Sequence, residues 1–211
     1  MFRFVLLALE FSTIFVVLPL LIYYRLIPNW PIPFLLLASL GAFLYVRHAA
    51  GFDATQLSSW GHISSRLLPL FFRDAILLVL LGIAVWFFAP QLLFSLLKRA
   101  PLLWAAIMVL YPVVSVYPQE LLYRAFFFHR YQPLFGSGWV MLAASALAFG
   151  FVHIIFGNWL SVVLCVFGGF LFASTYHSSG SLLLTCIDHA IFGDFIFTIG
   201  LGQFFYHGSR L

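Results

Sequence analysis

The sequence predicts an all-α, multi-pass membrane helix bundle of about seven or eight spans. Three observations predict it. The chain of 211 residues is 64% hydrophobic and only 8% charged, whereas a soluble domain carries about 25% charged residues. Its mean hydropathy is +1.09. Its apolar runs are long and unbroken, where a membrane barrel would alternate in segments of about ten residues. A helical span needs about 20 residues at 1.5 Å each, which sets the number of spans and leaves room for a single domain over 1–211. The formal net charge of +4 suits a protein beside anionic lipid. No Lys/Arg cluster points to nucleic acid, so membrane lipid is the expected surrounding; oligomeric state is not encoded.

The first run, Phe4 to Tyr24, is too long for a signal h-region and lacks a small-residue cleavage site, so it is expected to stay as an uncleaved span. It carries Glu10, expected to be a packing or hydrogen-bonded residue. Pro31 and Pro33 suit the first turn of a second span, where missing N–H donors do no harm. The segment Arg47 to Asp74 is the most polar, and includes His62. Within it Leu67 to Phe72 is expected to lie on the surface as an amphipathic piece. A third span follows from Ala75 to Phe88, which Pro90 should kink or end; Gln91 to Leu97 is its candidate extension before Lys98-Arg99.

Pro101 starts a fourth span reaching about Tyr117. Pro112 and Pro118 are expected to interrupt this region, leaving a separate helix to about Tyr131. Next comes Trp139 to Phe156, closed by Gly157. Asn158 is a good N-cap for the helix that runs to Tyr176. Leu182 to about Phe205 is the last span. Cys165 and Cys186 sit in apolar runs as buried thiols. His129, His177 and His207 fall near helix ends, suited to the interface. Simple alternation puts Arg3, Arg47, Arg66 and Arg73 on the cytoplasmic side.

Against this background the few ionisable residues at membrane depth stand out. Each costs about 2.5–3.5 kcal/mol to insert, and such groups usually face the bundle interior and pair. Glu120, Arg124, His153, Asp188, His189 and Asp194 form one candidate cluster on that ground. Glu120 and Arg124 lie four apart, on one helix face. Gln119 points about 100° away. A carboxylate with two imidazoles is a combination for activating water, directly or through a metal. Taken singly, each is as well explained as a packed or paired structural group.

The order Gln119-Glu120-x-x-x-Arg124, then Phe149-Gly150-Phe151-Val152-His153, then His189 in a last apolar helix resembles the CPBP family. These are the CAAX-protease and bacteriocin-processing intramembrane proteases, Rce1-like enzymes among them, with the pattern EExxxR, FxxxH and HxxxN or a variant. The resemblance covers about 101–205. It implies an intramembrane endopeptidase acting on a membrane-associated peptide or protein. It assigns Glu120 as base, Arg124 as its holder, His153 as orienter of water, and His189, with Asp194 or a backbone donor, as oxyanion stabiliser. Two positions depart from the pattern: Gln119 replaces the first Glu, and Gly193 stands four after His189. No HExxH occurs, so a metal-free, glutamic-type site is expected, with a zinc set of Glu120, His153 and His189 as the alternative. Two other classes stay open. One is an inactive relative that binds a lipidated peptide or partner helix, favoured by Gln119. The other is a small proton-coupled transporter, against which no paired broken helices occur in matching halves.

Overall fold

The computed structural model describes residues 2–59 and 63–205, and the side chains of all but 63–65 among them. His62 and His207 lie outside the described residues. All regular structure among the described residues is helical. Among the described residues, six helices are long and apolar enough to cross a membrane. They are α1 (Phe2–Tyr23), α2 (Pro31–His48), α3 (Ile63–Phe88), α4 (Pro101–Arg130), α5 (Trp139–Phe156) and α6 (Trp159–Ser179). A seventh, α7 (Leu182–Thr198), is 17 residues long. The protein is a multi-pass membrane bundle. Large side chains such as Leu102, Phe88, Trp86 and Trp159 face outward, the surface expected where lipid rather than water is the solvent.

Three expectations need correcting. The amphipathic piece at Leu67 to Phe72 does not lie apart: it is the first stretch of one continuous helix, α3, which carries Pro69 inside. Likewise Pro112 and Pro118 do not break α4. A proline removes an N–H and crowds the preceding turn. Here α4 widens to π geometry at Pro112–Val116 and again at Leu121–Phe126, so the chain passes both prolines without ending. Such wide turns gather at functional sites. The second spans Arg124 and begins directly after Glu120. Pro90 does close α3, in the 3₁₀ turn Pro90–Leu92, and only the short helix Ser95–Arg99 follows. The last span is shorter than expected: α7 stops at Thr198, Gly200 adopts φ +94°, and a 3₁₀ turn covers Leu201–Phe205.

Local signals account for several ends. Pro31 opens α2. The Asn158 side chain accepts from the Ser161 amide to cap α6, and Ser181 does the same for α7 from Leu184. In the loop after α2, the Thr55 hydroxyl and amide donate to Asp53 and hold its carboxyl below the usual carboxylate range.

The core sits around the second half of α4. Leu121 through Phe127 are all buried, flanked by α2 on one side and by α5 on the other. Helices α5 and α6 form the closest pair in the bundle. A Cβ on Gly150 would stand 2.8 Å from the Val166 backbone nitrogen, and one on Gly169 3.0 Å from the Ala146 Cα, so glycines permit this approach. Phe11 and Phe15 of α1 meet Phe127 and Tyr131 edge to face. Glu10 gains the partners its depth demands: Arg130 binds it through two nitrogens, at 2.9 and 2.5 Å, and the Tyr131 hydroxyl donates at 3.1 Å. That pair ties α1 to the end of α4.

Candidate active site

Glu120 and Arg124 are both completely buried. Their helical spacing brings Glu120 Oε2 to 3.0 Å from Arg124 Nε. The N–H does not point along that line, so the contact is an ion pair without an aligned hydrogen bond. The guanidinium is fixed from its other side. It donates to Ser145 Oγ at 2.6 Å, to the Tyr123 carbonyl at 3.2 Å and to the Gly169 carbonyl at 3.4 Å. Ser145 in turn donates to the Tyr123 carbonyl at 2.8 Å, and the Phe149 ring lies 5.2 Å from the guanidinium carbon. The close α5–α6 crossing at Gly169 is what brings a backbone carbonyl within reach of this charge.

The other carboxylate oxygen, Glu120 Oε1, is 2.8 Å from His189 Nδ1 on α7. A carboxylate only accepts, so Nδ1 carries a proton. The ring's second nitrogen, Nε2, lies 3.0 Å from the Tyr111 hydroxyl. The imidazole stacks on Phe172 at 4.4 Å between centroids and meets Phe149 edge-on at 5.4 Å. An unbroken chain thus runs Arg124–Glu120–His189–Tyr111, from the interior of the bundle outward.

His153 enters from α5. The helix tightens to 3₁₀ geometry at His153–Phe156, and the His153 amide bonds to Gly150 rather than to Phe149. The Phe149 carbonyl is thereby released from the α-helical ladder and accepts instead from the His153 ring, with Nδ1 at 2.7 Å. A carbonyl cannot donate, so Nδ1 bears the hydrogen, and in the neutral ring Nε2 is left as an acceptor. Phe149 also touches both imidazoles, 5.0 Å from His153 and 5.4 Å from His189.

These groups meet at a cavity of about 1010 Å³ to which all seven helices contribute. Its walls are largely apolar. The polar side chains on it include Tyr111, Ser115, Gln119, His153 and His189. Glu120 is not on the wall; it stands behind His189. Gln119 is on the wall, its amide nitrogen donating to Ser115 at 2.7 Å.

The structure therefore brings Glu120, Arg124 and His189 into direct contact and sets His153 on the same cavity. It does not bring in Asp194 or Asp188. Asp194 is absent from the cavity wall, its Oδ1 has no hydrogen-bond partner, and its backbone carbonyl takes the Thr198 hydroxyl. The five-residue offset from His189 turns it away, and α7 has no distortion at Gly193 to turn it back. Asp188 belongs to a second cluster. Its oxygens accept from Arg73 and from Thr175, each at 2.6 Å, and Arg73 also holds Asp74 at 2.7 Å. Tyr111 and Ser145 were not singled out from the sequence. A tyrosine in an aromatic-rich span and a serine in an alanine-rich one carry no signal by themselves; only their distance in space marks them.

Fold and site define a class: a polytopic helix bundle with a carboxylate-supported imidazole and a second histidine on one large apolar cavity. Residues 99–193 match the model of a family described as type II CAAX prenyl endopeptidase Rce1-like, a little under half of the chain. The segment bearing Gln119, Glu120, Arg124, His153 and His189 is thus Rce1-like. No curated protein and no solved structure matches the chain.

Proposed function

We propose that this protein is an intramembrane endopeptidase that hydrolyses a membrane-associated, prenylated CAAX-type peptide, with His153 as the base. The observation that carries the reading is the placing of His153 and His189 on one cavity wall with Glu120 directly behind His189. The family match supplies the reaction class, and the apolar walls suit an isoprenoid chain.

In this reading a water between Gln119 and His153 loses a proton to His153 Nε2, and its oxygen bonds to the scissile carbonyl carbon. The resulting tetrahedral oxyanion collapses, the C–N bond breaks, and the proton passes from His153 to the leaving amine. Burial keeps water scarce and strengthens each polar contact. Gln119 spends its N–H on Ser115; its amide oxygen can then accept from the water and orient it, but an amide does not act as a base. Glu120 fixes His189 in one tautomer rather than taking the proton from water, which revises the role that motif order alone gives it. Arg124 holds Glu120.

The reaction is proposed to be metal-free. Glu120 and His189 bond to each other, and Tyr111 occupies the other His189 nitrogen. Among the described residues no three His, Cys, Asp or Glu side chains gather as a metal set. Metal analysis of purified, active protein is expected to find no stoichiometric ion; stoichiometric zinc lost together with activity would overturn this point.

The carboxamide at Gln119 favours one other reading, a binding protein that holds such a peptide without cleaving it. Purified protein in liposomes, given a farnesylated fluorogenic CAAX peptide, separates the two. The protease reading predicts cleavage by the wild type and a loss of about 10²–10⁴-fold in His153→Ala. The binding reading predicts retention without product, and turnover only after Gln119→Glu restores a carboxylate on the wall.

A further inference from the structure

Tyr111 is a polar residue of the cavity wall that neither motif order nor the scheme above uses. It sits in the first half of α4, nine positions before Glu120, and lines the cavity. Its hydroxyl ends the chain that begins at Arg124, 3.0 Å from His189 Nε2. Its ring packs edge-on to Phe197 at 5.4 Å and to His189 at 6.0 Å. A phenol held on two sides by rings and at its tip by an imidazole has little freedom.

Gly193 explains how it fits. A Cβ built on Gly193 would collide with the Tyr111 ring carbons and with the hydroxyl oxygen itself. The phenol therefore fills the space that any side chain one turn after His189 would take. This is the position at which the FxxxH/HxxxN pattern has its last polar residue and this chain has none. The polar atom found there comes from α4 instead of α7.

We infer that the Tyr111 hydroxyl is the hydrogen-bond donor to the oxyanion that forms when the cavity-bound carbonyl is attacked. The assignment rests on the endopeptidase reading above. A phenolic hydrogen turns about its C–O bond, so it can leave His189 Nε2 for a nearby oxygen as negative charge grows there. No bond to Tyr111 oxygen is made or broken; it donates a hydrogen bond and keeps its proton. The chain behind it explains why Glu120 is kept behind His189 and off the cavity wall. Arg124 holds Glu120, Glu120 holds His189, and His189 holds the phenol in place before substrate arrives. Donors positioned in advance cost no reorganisation at the moment of reaction. Glu120 and His189 are positioning residues in this account, and Tyr111 is the group that touches the reacting atoms.

The test uses the full chain in liposomes with three probes: a farnesylated CAAX peptide, the matching peptide aldehyde whose hydrate mimics the tetrahedral state, and the matching alcohol that cannot form it. Tyr111→Phe removes one oxygen and keeps the ring. Its kcat is expected to fall by about 10²–10³-fold, the loss typical of one oxyanion donor, with KM within about twofold. Its preference for aldehyde over alcohol should fall in parallel. Gly193→Ala, which displaces the phenol while leaving it in the sequence, should lose the same preference. A Tyr111→Phe protein that keeps kcat and the aldehyde preference within about threefold would overturn the inference. Wild type that binds the probes without cleaving the peptide would defeat the endopeptidase reading alone, and the aldehyde-to-alcohol ratio in Tyr111→Phe would still decide the role of Tyr111. Wild type that binds none of the three would defeat both.

Discussion

Two buried carboxylates, Glu120 and Asp188, are both fully shielded and both partnered by arginine, yet they sit in opposite circumstances. Asp188 is closed on itself. Its oxygens go to Arg73 and Thr175, neither of them on the cavity wall, and the cluster joins α3 to α6 and α7. Glu120 instead passes one oxygen to an imidazole whose far nitrogen reaches the cavity wall. The difference teaches that charge at membrane depth is not sufficient to mark a site. What separates the two is whether the buried charge is connected to an open space by a group able to carry or orient a proton. The Asp188 cluster satisfies the demand that membrane charges pair; the Glu120 cluster satisfies it and continues outward.

Substitutions should therefore split into two kinds. The largest effect on rate is expected at His153, where replacement by Ala removes the base and should cost about 10²–10⁴-fold in cleavage while the protein still inserts and accumulates. Glu120→Gln is next. It breaks the charge pair with Arg124 and neutralises the group that orients His189. Both kcat, by about tenfold or more, and resistance to thermal unfolding in detergent should fall. Asp188→Asn gives the contrast. Removing one partner of a buried pair costs about 3–5 kcal/mol, so its unfolding temperature should drop, yet kcat per folded molecule should stay within about twofold. Loss of cleavage in folded Asp188→Asn would erase the distinction between the clusters. The smallest effect is expected at Glu10→Gln. That pair is partly exposed, with both side chains 30% accessible, and should be worth about 1 kcal/mol with no change in rate.

Most of the fold was legible because membrane depth imposes long apolar runs, and because Pro31 and Asn158 signal helix starts by simple chemistry. Pro112 and Pro118 misled for a physical reason. A proline breaks an α-helix, but a π turn can absorb the missing hydrogen bond, and nothing in the local composition announces one. In the candidate site, the helical spacing of Glu120 and Arg124 fixed their contact in advance, since residues four apart share a face. Contacts between helices were not legible in that way. Asp188 and Asp194 flank His189 in sequence, but their directions around α7 send them elsewhere. The divergence of neighbours also separates Gln119 from Glu120: one faces the cavity and the other the interior. Tyr111 became visible only through the empty space at Gly193, an absence that matters only once the neighbouring helix is in place.

The account turns on His153 acting from the cavity wall as the base of a peptide hydrolysis. The most direct measurement is cleavage of a farnesylated CAAX peptide by wild type and His153→Ala, purified in parallel and reconstituted in liposomes, with products identified by mass. The account predicts a single cut in the CAAX peptide by the wild type and a rate lower by about 10²–10⁴-fold in the variant. Equal product from both, or none from a wild type shown to be folded, would contradict it.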